Sequence, residues 1–242
     1  MSGDGAGLAT AGIEQVLGEL RSRERFLLTA HEGPDGDALG SLLGMHHLLG
    51  QLGKDSVMFM AAKEFPLPYE YQRMELDEVH REVPADLDDR VVVFLDCGNI
   101  DRMPVDFLHE GHLHVLNIDH HHDNTRFGDV NLVIGHASCT AEILWDLARE
   151  LGVELTPEIA NALYIALVTD TGKFMFENTT PRAHEMAADL IEAGVQPQEA
   201  HKSLYEGLPF ARLQLLARAL NAVQRYDGGQ LTLTHLTRED FS

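Results

Sequence analysis

Residues 25–41 read RFLLTAHEGPDGDALGS, an apolar run followed by a short acidic loop and the start of a leucine-rich segment. The apolar run, residues 25–30, is typical of a buried strand. The segment ALGSLLGMHHLLGQLG, residues 38–53, places its leucines at roughly helical spacing. A strand, a polar loop and a helix in this order predict the opening unit of an α/β sheet.

The rest of the chain repeats this alternation of strands and helices. Short apolar runs predict strands at 55–60 (DSVMFM), 91–96 (VVVFLD) and 114–119 (HVLNID). Periodic apolar residues predict helices at 138–152, 156–170 and 179–194, and the last two open with a threonine cap followed by proline. We therefore predict an α/β fold with a mostly parallel sheet and helices on both of its faces.

The C-terminal stretch follows a different pattern. Residues 209–226, PFARLQLLARALNAVQRY, predict one helix. Asp227, Gly228 and Gly229 then predict a turn that leads into an alternating strand. No partner for this strand remains in the sequence, so we expect either an edge strand or the first strand of a further domain.

The composition excludes several classes of protein. The formal net charge of −21 argues against a broad surface for long nucleic acids. The first dozen residues lack the basic and apolar regions of a secretory signal. No apolar run approaches the ~20 residues of a membrane span, so we expect a cytoplasmic protein without a membrane partner. Reduced Cys97 and Cys139 are then favoured over a single disulfide.

The loop after the first predicted strand places His31, Asp35 and Asp37 within seven positions. Two carboxylates this close repel each other unless water screens them or a cation lies between them. Asp35 and Asp37 alone are most often part of a solvated turn, and Leu39 occupies the third ligand position of a calcium-binding EF-hand loop. The loop by itself leaves a solvated turn and a cation site as alternatives.

Polar clusters fall at three further strand or helix ends: Asp96, Asp119-His120-His121-His122 and Asp170. Ligands of open α/β sheets bind beyond the carboxyl ends of the strands. Each cluster alone has an ordinary explanation, but four such clusters together favour one metal site. Carboxylate and imidazole ligands suit Mn²⁺, Fe²⁺, Co²⁺ or Zn²⁺ rather than Ca²⁺. The absence of cysteine from the clusters argues against a structural zinc site.

Five segments carry these residues in a fixed order: HEGPDGDALGS, LDCGNIDR, NIDHHHDN, HASCTAEI and YIALVTDTGKF. They resemble the ordered motifs of the DHH phosphoesterase family, most closely its branch of bifunctional oligoribonucleases (nano-RNases) and pAp phosphatases. The resemblance implies a Rossmann-like DHH catalytic domain at residues 25–205. A tail and first helix at 1–24 would precede this domain, and a linker helix at 206–225 would follow it.

The resemblance also implies a role for each clustered residue. One Mn²⁺ would be held by His31, Asp35, Asp96 and Asp170. A second Mn²⁺ would be held by Asp37, Asp96, His120 and Asp170. Asp119 would orient a neighbouring group, and His121 would face the substrate phosphate.

Two divalent ions ~3.5–4 Å apart can share a water and lower its pKa towards neutrality, which provides a nucleophile for in-line attack on phosphorus. The implied reaction is hydrolysis of phosphoester bonds. Its substrates would be short oligoribonucleotides, linear or cyclic dinucleotides such as pApA, or nucleotide phosphates such as pAp. Association into a homodimer would be compatible with this activity.

The C-terminal part departs from the pattern of the branch. Members usually carry a substrate-binding domain marked by a GGGH motif, whereas Gln230 follows Gly228 and Gly229 here. Residues 226–242 are therefore interpreted as the start of a truncated or absent substrate-binding domain. Cys139 stands where relatives more often have serine, a small change with no expected catalytic consequence.

Two alternative functions remain open. A pyrophosphatase-like hydrolase of the same fold would be favoured by basic residues clustered after the catalytic domain, where the chain has Arg212, Arg218, Arg225 and Arg238. A non-catalytic metal-binding or interaction module is the other alternative, which metal retention without phosphate release would support. Processive cleavage of long strands is least favoured, since the chain is acidic and lacks an aromatic and basic groove.

Overall fold

The computed structural model describes residues 4–102, 105, 113–206 and 209–241. These residues form two compact units, one extending to Ala200 and the other beginning at His201. None of the helices in these ranges combines the length and the apolar composition that a bilayer-crossing segment requires. Cys97 and Cys139 are free and buried.

A five-stranded sheet forms the centre of the first unit. Its strands are β1 Arg25–Ala30, β2 Asp55–Met58, β3 Val91–Leu95, β4 Val115–Asp119 and β5 Val130–Val133. Their spatial order is β2-β1-β3-β4-β5, and every neighbouring pair is parallel. The chain order reverses between β1 and β3, so the carboxyl ends of these two strands flank the crevice where open α/β sheets bind ligands.

Among the described residues up to 206 there are six helices: α1 Asp4–Ser22, α2 Gly36–Gln51, α3 Thr140–Leu151, α4 Pro157–Asp170, α5 Pro181–Glu192 and α6 Pro197–Tyr205, the last of which begins in the first unit and ends in the second. The hydroxyls of Thr156 and Thr180 cap α4 and α5, and each of these two helices has proline at its start. Helix α2 approaches α4 closely at Gly40, where an added β carbon would lie 2.5 Å from the carbonyl oxygen of Ala162.

The predicted α/β fold with a mostly parallel sheet is confirmed. Strands β1 to β4 and helices α2 to α5 lie where the sequence pattern predicts them, with ends that differ by a few residues. Strand β5 and helix α6 were not predicted. β5 is a short edge strand whose apolar run is interrupted by Asn131, so its sequence signal is weak.

The helix predicted over 209–226 is confirmed in its first part, and its predicted end was wrong. Helix α7, Phe210–Asn221, is shorter, and Gln224–Tyr226 form strand β6, which pairs in an antiparallel hairpin with β7, Leu231–Leu233. The strand predicted after the turn therefore has a partner in its own hairpin. Residues 1–3 of the predicted tail, 207 and 208 of the predicted linker helix, and Ser242 lie outside the described residues.

Candidate metal centre

Several chain segments bring the predicted ligands together at the carboxyl edge of the sheet. The residues come from the loop after β1, the first turn of α2, the ends of β3 and β4, and the last residue of α4: His31, Asp35, Asp37, Asp96, His120 and Asp170. Each offers a ligand atom within 4.8 Å of the others in one of two groups, His31/Asp35/Asp96 and Asp37/His120/Asp170. A third group of this kind consists of Asp96, His120 and His121.

The ring of His120 faces three carboxylates. Its Nε2 atom lies 3.9 Å from Asp37 Oδ2, 3.6 Å from Asp96 Oδ1 and 3.8 Å from Asp170 Oδ2. Its Nδ1 atom lies 3.3 Å from the carbonyl oxygen of Ala137, which can accept the Nδ1 proton. Such a contact leaves the lone pair of Nε2 directed at the carboxylates, the arrangement of a histidine that ligates a metal.

His31 is oriented in a similar way on the other side of Asp96. Its Nε2 atom lies 3.5 Å from Asp96 Oδ2, and its Nδ1 atom lies 2.7 Å from the carbonyl oxygen of Glu32. Arg102 Nη2 lies 3.0 Å from the same Nδ1. A protonated Nδ1 donates to Glu32 and cannot accept from the guanidinium, and in that tautomer Nε2 is the free ligand atom.

The start of helix α3 holds the carboxylate of Asp37. The backbone N–H groups of Thr140 and Ala141 donate to it at 2.7 and 3.1 Å, and the Ser41 hydroxyl donates at 3.1 Å. Even so, burial and the nearby charge of Asp96 raise the pKa of Asp37 well above its usual range. A nearby cation favours the ionised form of a buried carboxylate with such neighbours, so this donor set fits a divalent metal.

Asp96 lies at a left-handed backbone position, with φ of 57°, directly after β3. Burial disfavours its ionised form, but the interactions with His31 and His120 outweigh this effect and lower the pKa of Asp96. The Thr140 hydroxyl donates to Asp96 Oδ1 at 3.1 Å. The side chain is therefore fixed between His31 and His120, where it can serve two ions.

Asp170 is the last residue of helix α4, and its Oδ2 atom lies 3.8 Å from Nε2 of His120. Burial raises the pKa of Asp170 to about 6, although the charge of His120 opposes the shift. The side-chain amide of Asn178 donates to Asp170 Oδ2 at 3.1 Å and also contacts the backbone oxygens of Asp170 and Ser138. This amide fixes the direction of the carboxylate.

Asp119 is fully buried and contacts His121 rather than the other aspartates. Its Oδ1 atom lies 2.7 Å from His121 Nδ1 and 2.9 Å from the backbone N of His120, and Asn124 Nδ2 donates to Oδ2 at 2.5 Å. The hydrogen bond to Asp119 raises the pKa of His121 to about 9, so the ring is cationic near neutral pH. Because Nδ1 donates to Asp119, only Nε2 is left for another partner. His122 is exposed.

The residues of the centre that were not predicted from the sequence include Thr140, Asn124 and Asn178. Thr140 contacts Asp96 and Asp37, which precede it by 44 and 103 positions in the chain. Contacts between residues this far apart leave no local pattern in the sequence. Asn124 is the last residue of the NIDHHHDN segment, and Asn178 lies shortly after the YIALVTDTGKF segment. Only their proximity to the aspartates in the sequence could have suggested them.

Two curated bacterial proteins are similar to this chain over most of its length. The chain is 36% identical over 219 residues to a bifunctional oligoribonuclease and PAP phosphatase of Thermus thermophilus, a match that covers 88% of this chain and 63% of that protein. It is 30% identical over 187 residues to the Bacillus subtilis protein of the same name, covering 76% of this chain and 58% of that protein. The chain thus spans about three fifths of the length of these relatives.

A solved structure shares the fold. The crystal structure of an exopolyphosphatase-related protein from Bacteroides fragilis superposes with a TM-score of 0.84 at 22% identity, over 96% of this chain and 71% of that one. Residues 25–167 match the model of the DHH family, N-terminal domain. That range includes the Asp119-His120-His121 triplet and covers more than half of the sequence. The chain belongs to the DHH family.

Proposed function

We propose that this chain is a metal-dependent phosphoesterase that hydrolyses short oligoribonucleotides, dinucleotides or nucleotide phosphates such as pAp. The observation that carries the proposal is the convergence of Asp37, Asp96 and Asp170 on Nε2 of His120. The two relatives named as oligoribonucleases and PAP phosphatases support the substrate class. The charge of −21 disfavours binding to long nucleic acids.

The residues present fit two divalent cations, for which we propose Mn²⁺ because mixed carboxylate and imidazole ligands suit it. One ion would be held by His31, Asp35, Asp96 and Asp170. The other would be held by Asp37, Asp96, His120 and Asp170. When bound, such a pair supplies Lewis acidity towards phosphate oxygens and a nucleophilic water at neutral pH.

The side chains around these ligands have separate tasks. His121 binds a phosphate oxygen through Nε2 and stabilises the negative charge that grows during phosphoester cleavage. Asp119 keeps the proton on Nδ1 of His121 and so maintains its positive charge. Thr140 and Asn178 hold the carboxylates of Asp96 and Asp170 in fixed directions, so little rearrangement is needed when the substrate arrives.

Hydrolysis assays with defined substrates test the proposal. The purified chain is incubated with Mn²⁺ and, separately, with a series of short RNAs, pApA, pAp and inorganic pyrophosphate, and the products are separated by chromatography. We expect release of mononucleotides from RNA and pApA and of phosphate from pAp. Asp96→Asn should reduce kcat/KM by at least ~100-fold, because it alters a carboxylate assigned to both ions.

Asp123→Asn is the matched control, since Asp123 is an exposed aspartate close to the same triplet. It should retain the activity of the wild type. Cleavage of pyrophosphate alone would replace the proposed substrate class by the pyrophosphatase alternative. Retention of Mn²⁺ without cleavage of any substrate would support a non-catalytic metal-binding module instead.

A further inference from the structure

The loop that follows Asp170 has an unusual backbone. Gly172, Lys173 and Phe174 all have positive φ, at 55°, 63° and 63°. Two of these three residues carry a β carbon, and such residues rarely adopt this conformation, least of all consecutively. Strained backbone of this kind persists only where its surroundings hold it, and it often occurs at ligand-binding sites.

Thr171 provides much of the support for this loop. Its backbone oxygen accepts the N–H groups of Met175 and Phe176, both at 3.0 Å, and its hydroxyl accepts the N–H of Phe174 at 3.2 Å. The side chain of Thr171 is completely buried. The loop is therefore a hydrogen-bonded structure with a defined presentation of its side chains.

The two phenylalanines of the loop have different environments. The ring of Phe174 stacks on His184 of α5, with centroids 4.9 Å apart and planes at 24°. The residue Phe176 is 60% exposed, yet its ring lies directly over Gly172, where an added β carbon would come within 2.5 Å of it. One side of this ring thus contacts the backbone, and much of the rest faces solvent.

Phe176 is linked to Asp170 of the candidate metal centre through two neighbouring residues, Gly172 and Asn178. Gly172, which lies under its ring, is two residues after Asp170. Asn178, two residues after Phe176, donates a hydrogen bond to Asp170 Oδ2. The residue under the exposed ring and the residue two positions after Phe176 are therefore both neighbours of Asp170, either along the chain or by a hydrogen bond.

We propose that Phe176 is a stacking platform for a nucleobase of the substrate, whose phosphate lies at the metal centre. This inference rests on the proposed function and extends it to a recognised group, a purine or pyrimidine ring. An aromatic side chain can stack on any base, because every base has a π face, so the platform would select nucleotides without selecting their sequence. Inorganic phosphates would gain nothing from it.

Calorimetric binding tests this role independently of turnover. The whole chain, in the presence of Mn²⁺, is titrated with AMP and with ribose 5-phosphate, which lacks a base. We expect the wild type to bind AMP ~5- to 100-fold more tightly than ribose 5-phosphate, the range that loss of one stacked base produces. Phe176→Ala should abolish that preference and leave the affinity for ribose 5-phosphate unchanged, whereas Phe176→Tyr should retain the preference.

Tyr69→Ala is the matched control, because Tyr69 is an aromatic residue of the same unit that is 49% exposed. It should leave the preference for AMP intact. Equal binding of the two ligands by the wild type would overturn the inference, as would a preserved preference in Phe176→Ala or an equal loss of affinity for both ligands. Failure of the proposed function is a separate result, namely absence of hydrolysis by the wild type while its preference for AMP persists.

Discussion

Asp37 is held in the candidate centre against an electrostatic cost. Its carboxylate is fully buried and lies close to the charges of Asp96 and Asp170, both of which raise its pKa. The N–H groups at the start of α3 compensate for only part of this cost, because the pKa of Asp37 remains well above its usual range. A bound dication would offset the remainder, which is the residue-level reason to infer a metal at this position.

At the same scale, the adjacent histidines are expected to separate metal binding from turnover. His121→Ala should keep the Mn²⁺ affinity of the wild type and lower kcat by about 100-fold, because it removes a cation that faces the substrate. His120→Ala should lose one ion, because Nε2 is a proposed ligand. Calorimetric Mn²⁺ titration and steady-state kinetics provide the two measurements. His122→Ala, the exposed neighbour, serves as the control, and equal Mn²⁺ binding by all three variants would refute this division.

The charge of His121 depends on Asp119. Asp119→Asn should bring the pKa of His121 from about 9 down towards its ordinary value of ~6.5, since the substitution removes the carboxylate that stabilises the imidazolium. At pH values between these two, His121 would then be neutral instead of cationic. NMR titration of the ring protons in EDTA follows this change. A value that stays near 9 in the variant would assign the shift to other charges.

At the scale of elements, the sequence was sufficient for the strands that form the middle of the sheet. β1, β3 and β4 are buried on both faces along nearly their whole length, and their mainly apolar runs are recognisable without any neighbour. The short edge strand β5 and the hairpin strand β6 lack this signal. Helix α7 ends at Asn221 although VQRY could continue its pattern, because Gln224–Tyr226 pair with β7 instead.

In the candidate site too, the residues that could be predicted are those with a local sequence pattern. His31, Asp96 and His120 could be placed because each follows a strand, and parallel strands bring such residues to one edge of the sheet. Their proposed roles as ligands remain predictions. Thr140 and Asn178 could not be placed, since each acts on an aspartate through a contact made only by the packing of α3, α4 and the following loop.

The close contact between α2 and α4 predicts that a larger residue at Gly40 lowers the stability of the fold. Gly40→Ala should destabilise the chain by about 1–3 kcal/mol, because its β carbon would collide with a backbone oxygen of α4 that cannot easily move. Gly50→Ala in the same helix should be neutral or stabilising by up to about 1 kcal/mol, since no atom lies within 4 Å of the added carbon. Urea unfolding of both variants measures the difference. Equal stability of the two variants would contradict the close packing of these helices.

Over the whole molecule, the net negative charge affects which phosphate compounds can approach the candidate site. The chain has 39 acidic and 18 basic residues, a balance that repels polyanions at long range. A short phosphate substrate would instead meet local positive charge from the bound cations and from His121. This contrast would favour the proposed short substrates over long nucleic acids without requiring a basic groove.

The number of ions bound per chain shows whether the clustered aspartates and histidines hold two metal ions. The wild type, Asp96→Asn and the control Asp123→Asn are loaded with Mn²⁺, freed of unbound metal by gel filtration and analysed for manganese and protein. We predict two ions per chain for the wild type and the control, and fewer for Asp96→Asn, because Asp96 is assigned to both ions. A wild type that retains no manganese would exclude the proposed metal centre, and an Asp96→Asn variant that retains as much as the wild type would exclude the assignment of Asp96 to both ions.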